Sequence, residues 1–134
     1  MEAKQIVDAM MELDYFSQWL GIEVEEISAG KCTLSMVIRK EMLNGFGIAH
    51  GGVTYSFADS AFAFASNSHG RKSVSIETSI SHTISLKEGD KIWATAKEES
   101  LKNKIAIYFI EVCNAKGEKV ALFKGTVYRT DKEW

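Results

Sequence analysis

This chain is expected to fold as α+β: a curved antiparallel β-sheet wrapped around one long central helix, with a short helix ahead of it. Three observations predict this. One segment, following a glycine-dense loop at Asn44–Gly52, is apolar and rich in alanine and aromatic residues from Val53 towards Asn67, the mark of a buried helix. A second segment alternates strictly, with Val74, Ile76, Thr78, Ile80, His82, Ile84 and Leu86 on one face and serine, threonine or glutamate on the other, the period of a half-buried strand. The remaining strand-like segments are joined by short turns, so neighbours run antiparallel and must curl around the single long helix to bury it.

Taken in order, Glu2 to Leu20 places Ile6, Met10, Leu13 and Trp19 near helical spacing with charged residues between, predicting one amphipathic helix ended by Gly21. Ile22 to Ser28 and Lys31 to Ile38 read as two strands of a hairpin around Ala29-Gly30, the second with Cys32, Leu34, Met36 and Ile38 on one face. After the central helix and the alternating strand, Glu88-Gly89-Asp90 is a turn. Three further strands are predicted at Lys91–Glu99, Lys104–Cys113 and Glu118–Thr130. The chain holds no proline, so its turns rest on Gly, Asn, Asp and Ser.

At 134 residues the chain is one domain by size, 1–134, short enough for a site to be shared between subunits. Apolar residues make up 46% and charged residues 25%, which fits a globular protein and not a disordered one. The net charge of −2, with both signs scattered, argues against nucleic acid as a partner. Cys32 and Cys113 lie far apart with no ligand spacing, so neither a metal site nor a disulfide framework is expected. Glu2, Lys4, Asp8 and Glu12 are out of keeping with a signal peptide, and no run approaches the roughly 20 apolar residues of a membrane span. The expected location is the cytoplasm, with no membrane partner.

The glycine loop is where chemistry is expected. The first amides of a helix lack intrahelical partners and sit at the positive end of its dipole, so an acyl carbonyl oxygen finds donors there. Gly51 and Gly52 either shape a tight loop or keep side chains away so that such an oxygen approaches the Gly51 amide. Asp59 is out of place among Phe57, Ala58, Ala61 and Phe62. It is either a buried cap or ion-pair partner, or a nucleophile or general base. Asn44 offers an amide donor and a carbonyl acceptor, and His50 is either an acid–base group or a side chain that fixes the loop. Gly51 and Asp59 are eight positions apart, hence about 12 Å along the axis and turned about 80° around it. Reacting groups must come to about 3 Å. If both serve one reaction, Asp59 comes from a second copy, in a twofold dimer with two composite sites.

The combination of Asn44, His50-Gly51-Gly52, Ala58-Asp59-Ser60-Ala61, Ala65 to Gly70, Glu88-Gly89-Asp90 and Val120 to Gly125 resembles the PaaI-type acyl-CoA thioesterases of the hotdog fold, from about Leu20 to Arg129. The resemblance implies dimers that usually pair into tetramers. It implies hydrolysis of acyl-CoA, often aryl- or phenylacetyl-type, with no metal or other cofactor. It assigns carbonyl polarisation to Gly51, the nucleophile or base to Asp59 of the other subunit, and positioning to Asn44 and His50. Thr78 matches a position where relatives place a small polar residue near the water. Where the family commonly has Phe-Leu-Arg-Pro, this chain has His82-Thr83-Ile84-Ser85, a departure that bears on the acyl pocket. His82 itself is expected to be a packed core histidine. Gly52 is expected beside the substrate, and Arg71, Lys72 and Lys87 are basic candidates for the coenzyme A phosphates or else solvated surface charge. Two alternatives remain: a hotdog hydratase or dehydratase, which relies on a histidine with Asp or Glu in a different loop context, and a non-catalytic acyl-CoA sensor. Such sensors generally carry an added DNA-binding segment, for which the stretch before Gly21 is short.

Overall fold

Local signals produce six strands and three α-helices, and the computed structural model describes all residues, Met1 to Trp134. The N-terminal segment is two helices where the sequence predicts one. Helix α1 (Ala3–Leu13) buries Ile6 and Val7 and stops at Asp14. Asp14 caps α2 (Tyr15–Leu20): its Oδ1 accepts the Ser17 N–H at 2.9 Å and its Oδ2 the Ser17 hydroxyl at 2.7 Å. An aspartate that satisfies the free amides of a following helix competes with continuation of the preceding one. As expected, α2 ends at Gly21, in the left-handed conformation at φ 75°.

Strands β1 (Glu23–Ser28) and β2 (Lys31–Val37) form the expected hairpin. With β3 (Arg71–His82), β4 (Lys91–Leu101), β5 (Ile105–Asn114) and β6 (Lys119–Glu133) they make one antiparallel sheet in the order β1-β2-β4-β5-β6-β3. Since β2 lies near one edge and β3 forms the other, the connection between them must cross the sheet. It does so as α3 (Gly51–Asn67), the long central helix. Phe57, Ala58, Ala61, Phe62, Phe64 and Ala65 are each 1% exposed or less. Burying each phenylalanine contributes about 1.5–3 kcal/mol, and the alanines let the helix approach the strands. The Phe62 ring lies 6.0 Å from Tyr108 and 5.7 Å from Phe123, in a gap kept open by Gly125, where a Cβ would stand 2.6 Å from Phe62 Cζ. Gly52, Tyr55, Ser56, Asp59 and Ala63 form a second stripe on α3 that is not fully covered.

The alternating strand differs from expectation in two ways. Val74 and Ile76, expected inside, are 53% and 56% exposed. Pairing of β3 with β6 slips between Ser75 and Glu77, which face Val127 and Thr126, so Ile76 is an extra residue. A one-residue bulge reverses the inward phase. Half-buried positions are accordingly Arg71 and Ser73 before it, Thr78 and Ile80 after it. The strand also stops at His82 instead of continuing to Leu86. Beyond it the Thr83 N–H bonds to the Val120 carbonyl and the Thr83 hydroxyl to the Lys119 carbonyl, turning the chain back towards the glycine loop. No helix is long and apolar enough to cross a membrane.

Candidate active site

The loop before α3 is built from its own backbone. The Asn44 N–H donates to the Ile48 carbonyl at 2.8 Å, the Gly47 N–H to the Asn44 carbonyl at 3.0 Å, and the Ala49 N–H to the Leu86 carbonyl at 2.8 Å. Asn44 Oδ1 accepts the Phe46 N–H at 2.9 Å. Its acceptor is therefore spent on the loop, and its amide nitrogen is the end left to face a ligand. His50 is the N-cap of α3, with Nδ1 accepting the Gly52 N–H at 2.8 Å. That geometry is the loop-fixing option for His50, and it commits the Gly52 amide to the cap.

The two helical glycines thus differ. A Cβ on Gly52 would lie 3.0 Å from His50 Nδ1, so this glycine makes room for the cap. Gly51 has no positive φ, and a Cβ on it would meet nothing closer than 3.4 Å. The fold does not require a glycine at 51. What the missing side chain leaves open is a cavity of about 320 Å³, lined by Gly51, Asn44, Thr54, Ile48, Leu86 and His82 among others. At the first position of α3 the Gly51 N–H has no acceptor in the chain and points along the positive end of the helix. This is an arrangement that binds and polarises a carbonyl oxygen.

His82 is a correction to the sequence reading. It is exposed and faces this cavity, where a core histidine was expected. The alternation correctly turned it towards the helix side, but at the end of β3 that side is open to solvent beside Gly51. Its departure from the family pattern was the available signal.

Asp59 stands on the same helix, two turns on and about 12 Å from Gly51, and does not line the cavity. Burial, and secondarily the charge of Asp14, push its carboxyl above the usual aspartate range, with no hydrogen bond or cation to oppose them. It is neither a cap nor an ion-pair partner. One turn before it, the Tyr55 hydroxyl bonds to the Thr78 hydroxyl of β3, which places Thr78 against the Asp59 stripe and not at Gly51. Arg71 and Lys72 lie beyond the far end of α3. The Arg71 guanidinium donates to the carbonyls of Thr130 and Arg129 and to Asn103 Oδ1, and Lys72 Nζ sits 4.9 Å from the centre of the Trp134 ring. Both are engaged by neighbouring strands and the C-terminus. Lys87 directly follows Leu86 of the cavity wall and is exposed.

A model of the thioesterase superfamily matches residues 46–121, spanning the loop, α3 and the strands up to β6. The chain belongs to this superfamily. Its relatives include the acyl-coenzyme A thioesterase PaaI of Escherichia coli, 35% identical over 128 residues that cover 96% of this chain and 91% of that protein. A protein of Archaeoglobus fulgidus is 41% identical over 131 residues, 98% of this chain and 85% of its own. The solved structure of the E. coli PaaI protein, from the phenylacetic acid degradation operon, matches with a TM-score of 0.95 at 34% identity, covering 98% of this chain and 95% of that one. The hotdog fold expected for a thioesterase of the PaaI type is the fold observed.

Proposed function

We propose that this thioesterase hydrolyses acyl-coenzyme A, with an aryl, phenylacetyl or medium-chain acyl group, to the free acid and coenzyme A. The observation that carries this reading is Gly51: a glycine the fold does not need, whose free amide opens onto a cavity at the head of a helix. The thioester carbonyl oxygen accepts the Gly51 N–H, which stabilises the charge it gains when the carbonyl carbon is attacked. Asn44 positions the reactants with its amide N–H, while His50 holds the loop. Asp59 of the partner subunit supplies the attack. As a base it takes a proton from water while the oxygen adds to the carbonyl, the C–S bond breaks, and coenzyme A departs as thiolate and is protonated. As a nucleophile its oxygen displaces the thiolate and the resulting anhydride is hydrolysed. Either route consumes one water and calls on no metal or cofactor. A raised carboxyl pKa, held up by burial, favours proton abstraction near neutral pH.

A homodimer is the minimal unit of this reading, and the resemblance extends it to a pair of dimers in the cytoplasm. Thr78, beside the Asp59 stripe, lies where it would help hold the water. Lys87, exposed and next in sequence to Leu86 of the cavity wall, replaces Arg71 and Lys72 as the basic side chain best placed for a coenzyme A phosphate.

The test is thiol release over a panel of acyl-CoAs, with Asp59→Asn alongside. At least one aryl or medium-chain acyl-CoA should be hydrolysed, and the substitution should reduce turnover by about 10²-fold or more. Binding of acyl-CoA without release across the panel would make the chain a sensor instead.

A further inference from the structure

Five side chains of α3 carry a hydroxyl, and four of them have a partner in the fold. Tyr55 bonds to Thr78, Ser56 donates to the Gly52 carbonyl at 2.8 Å, Ser60 pairs with Ser17 at 2.8 Å and Ser66 donates to the Ala63 carbonyl at 3.2 Å. Thr54 has none, and does not take the usual outlet of a helical threonine, the carbonyl four residues back. Yet Thr54 is only 4% exposed, and it lines the cavity at Gly51. Arg129 Nε is the one buried side-chain polar atom sealed off without a partner, so the Thr54 hydroxyl is not sealed and opens onto that cavity. A hydroxyl so nearly enclosed lacks the solvation of a surface group, and a ligand that bonds to it restores what burial removed.

We propose that Thr54 is a substrate-binding residue whose hydroxyl bonds the first amide of the pantetheine arm of acyl-coenzyme A. Thr54 follows Gly51 by three positions, so the two share one face of α3. They lie about 4.5 Å apart along the axis, with the Thr54 side chain leaning back towards the turn that Gly51 opens. An oxygen that accepts the Gly51 N–H sits beyond the helix end, roughly 6 Å from the Thr54 hydroxyl. That is too far for both groups to hold one atom. It is the reach of a second polar group on the same ligand. The aryl, phenylacetyl and medium-chain acyl groups of the proposed function are hydrocarbon beyond their carbonyl and have nothing to offer a hydroxyl. On the other side of the carbonyl, the arm runs through sulfur and a pair of methylenes to an amide, roughly 5–6 Å away when extended. A hydroxyl both donates and accepts, so it serves the carbonyl or the N–H of that amide. With the carbonyl at Gly51 and the amide at Thr54, the arm lies in the cavity and the acyl group points away from it. Thr54 thus fixes which half of the substrate each wall meets.

The proposal rests on the acyl-CoA thioesterase reading, and its test separates the two. Thr54→Val, of nearly the same shape without the hydroxyl, and Thr54→Ser, which keeps it, are compared with wild type. Steady-state kinetics are measured on an acyl-CoA that the wild-type protein hydrolyses, and free coenzyme A, which carries the arm and no acyl group, is added as a competitive inhibitor. Thr54→Val should raise KM about tenfold with kcat changed less than about threefold, the pattern of a lost binding contact. It should weaken inhibition by coenzyme A by the same factor. Thr54→Ser should keep both within about threefold of wild type. Because the hydroxyl has no partner in the fold, the unfolding midpoint of Thr54→Val should be no lower than that of wild type. A rise in KM with inhibition by coenzyme A unchanged would place the hydroxyl on the acyl group and overturn the assignment. So would an unchanged KM, an equal loss in both variants, or a Thr54→Val chain that is destabilised or unfolded. A wild-type protein that releases no thiol from any acyl-CoA removes the underlying reading and this proposal with it.

Discussion

Asp59 is destabilising where it stands, because its carboxylate ionises in a partly dehydrated position with the like charge of Asp14 nearby. In the unfolded chain the group ionises near 3.8, and in the folded chain it keeps its proton to higher pH. Over that window the folded state binds more protons than the unfolded state. Stability therefore falls as pH rises through it, and the loss persists at neutral pH. Asp59→Asn should raise the midpoint of thermal unfolding at pH 7 by roughly 2–5 °C, a gain that calorimetry should find vanishing below about pH 3.8, where the wild-type group is protonated in both states. The same substitution should lower turnover by about 10²-fold or more. Asp14→Asn separates the two causes of the shift. It keeps an oxygen for the Ser17 N–H while removing the charge beside Asp59. The acidic limb of the kcat/KM profile should move to lower pH, and a limb that stays in place would belong to a group other than Asp59.

A second carboxylate joins the elements at the other end of α3. Glu98 on β4 accepts from His69, just past the helix, and from the Tyr108 hydroxyl of β5 at 2.7 Å. Burial pushes the Glu98 carboxyl up, but the bonds from His69 and Tyr108 and the charges of His69 and Arg129 outweigh it and hold it below the usual range. Its stabilising effect is present above the unfolded value of 4.5 and is lost as pH falls through the lower folded value. Glu98→Gln should lower the unfolding midpoint at pH 7 by roughly 5 °C, with the difference shrinking in acid; equal midpoints at pH 7 would mean that the cluster does not tie the helix to the sheet. Such long-range ties explain which elements were legible in the sequence. The hairpin, the central helix and its glycine loop carry their signals locally, in a turn glycine, an apolar run and a break in composition. The bulge at Ile76 is set by β6, some fifty residues later, so the alternation carries no trace of it. The break at Asp14 had a local signal, an aspartate three residues before Ser17, which the apolar spacing masked. Among site residues, Asp59 stood out as a carboxylate in an apolar run, and Gly51 and Asn44 by their place in the glycine loop that opens the helix. The engagement of Arg71 with Arg129 and Thr130 depends on strand order. So does the opening of the cavity at His82.

For the whole molecule, two unpartnered features lie on the same side of the fold's logic: the β3 edge, where Val74 and Ile76 are more than half exposed, and the α3 stripe that carries Asp59. An exposed edge strand with apolar side chains is a surface that pairs readily with another chain. The distance argument ties this tendency to the proposed chemistry. Gly51 and Asp59 are fixed about 12 Å apart on one rigid helix, and no side-chain rotation closes that gap to bonding distance. If the two groups act together, each site takes its amide from one copy and its carboxylate from another. Co-expression of an Asp59→Asn chain with a Gly51→Val chain, each carrying a different tag, tests this directly. In the purified heterodimer one site combines an intact glycine with an intact aspartate, and the other combines both lesions. Such heterodimers should show about half the wild-type thiol release per dimer, against almost none for either parent homodimer. If the two groups instead served one site within a chain, every site would carry a lesion and the heterodimer would be as inactive as its parents.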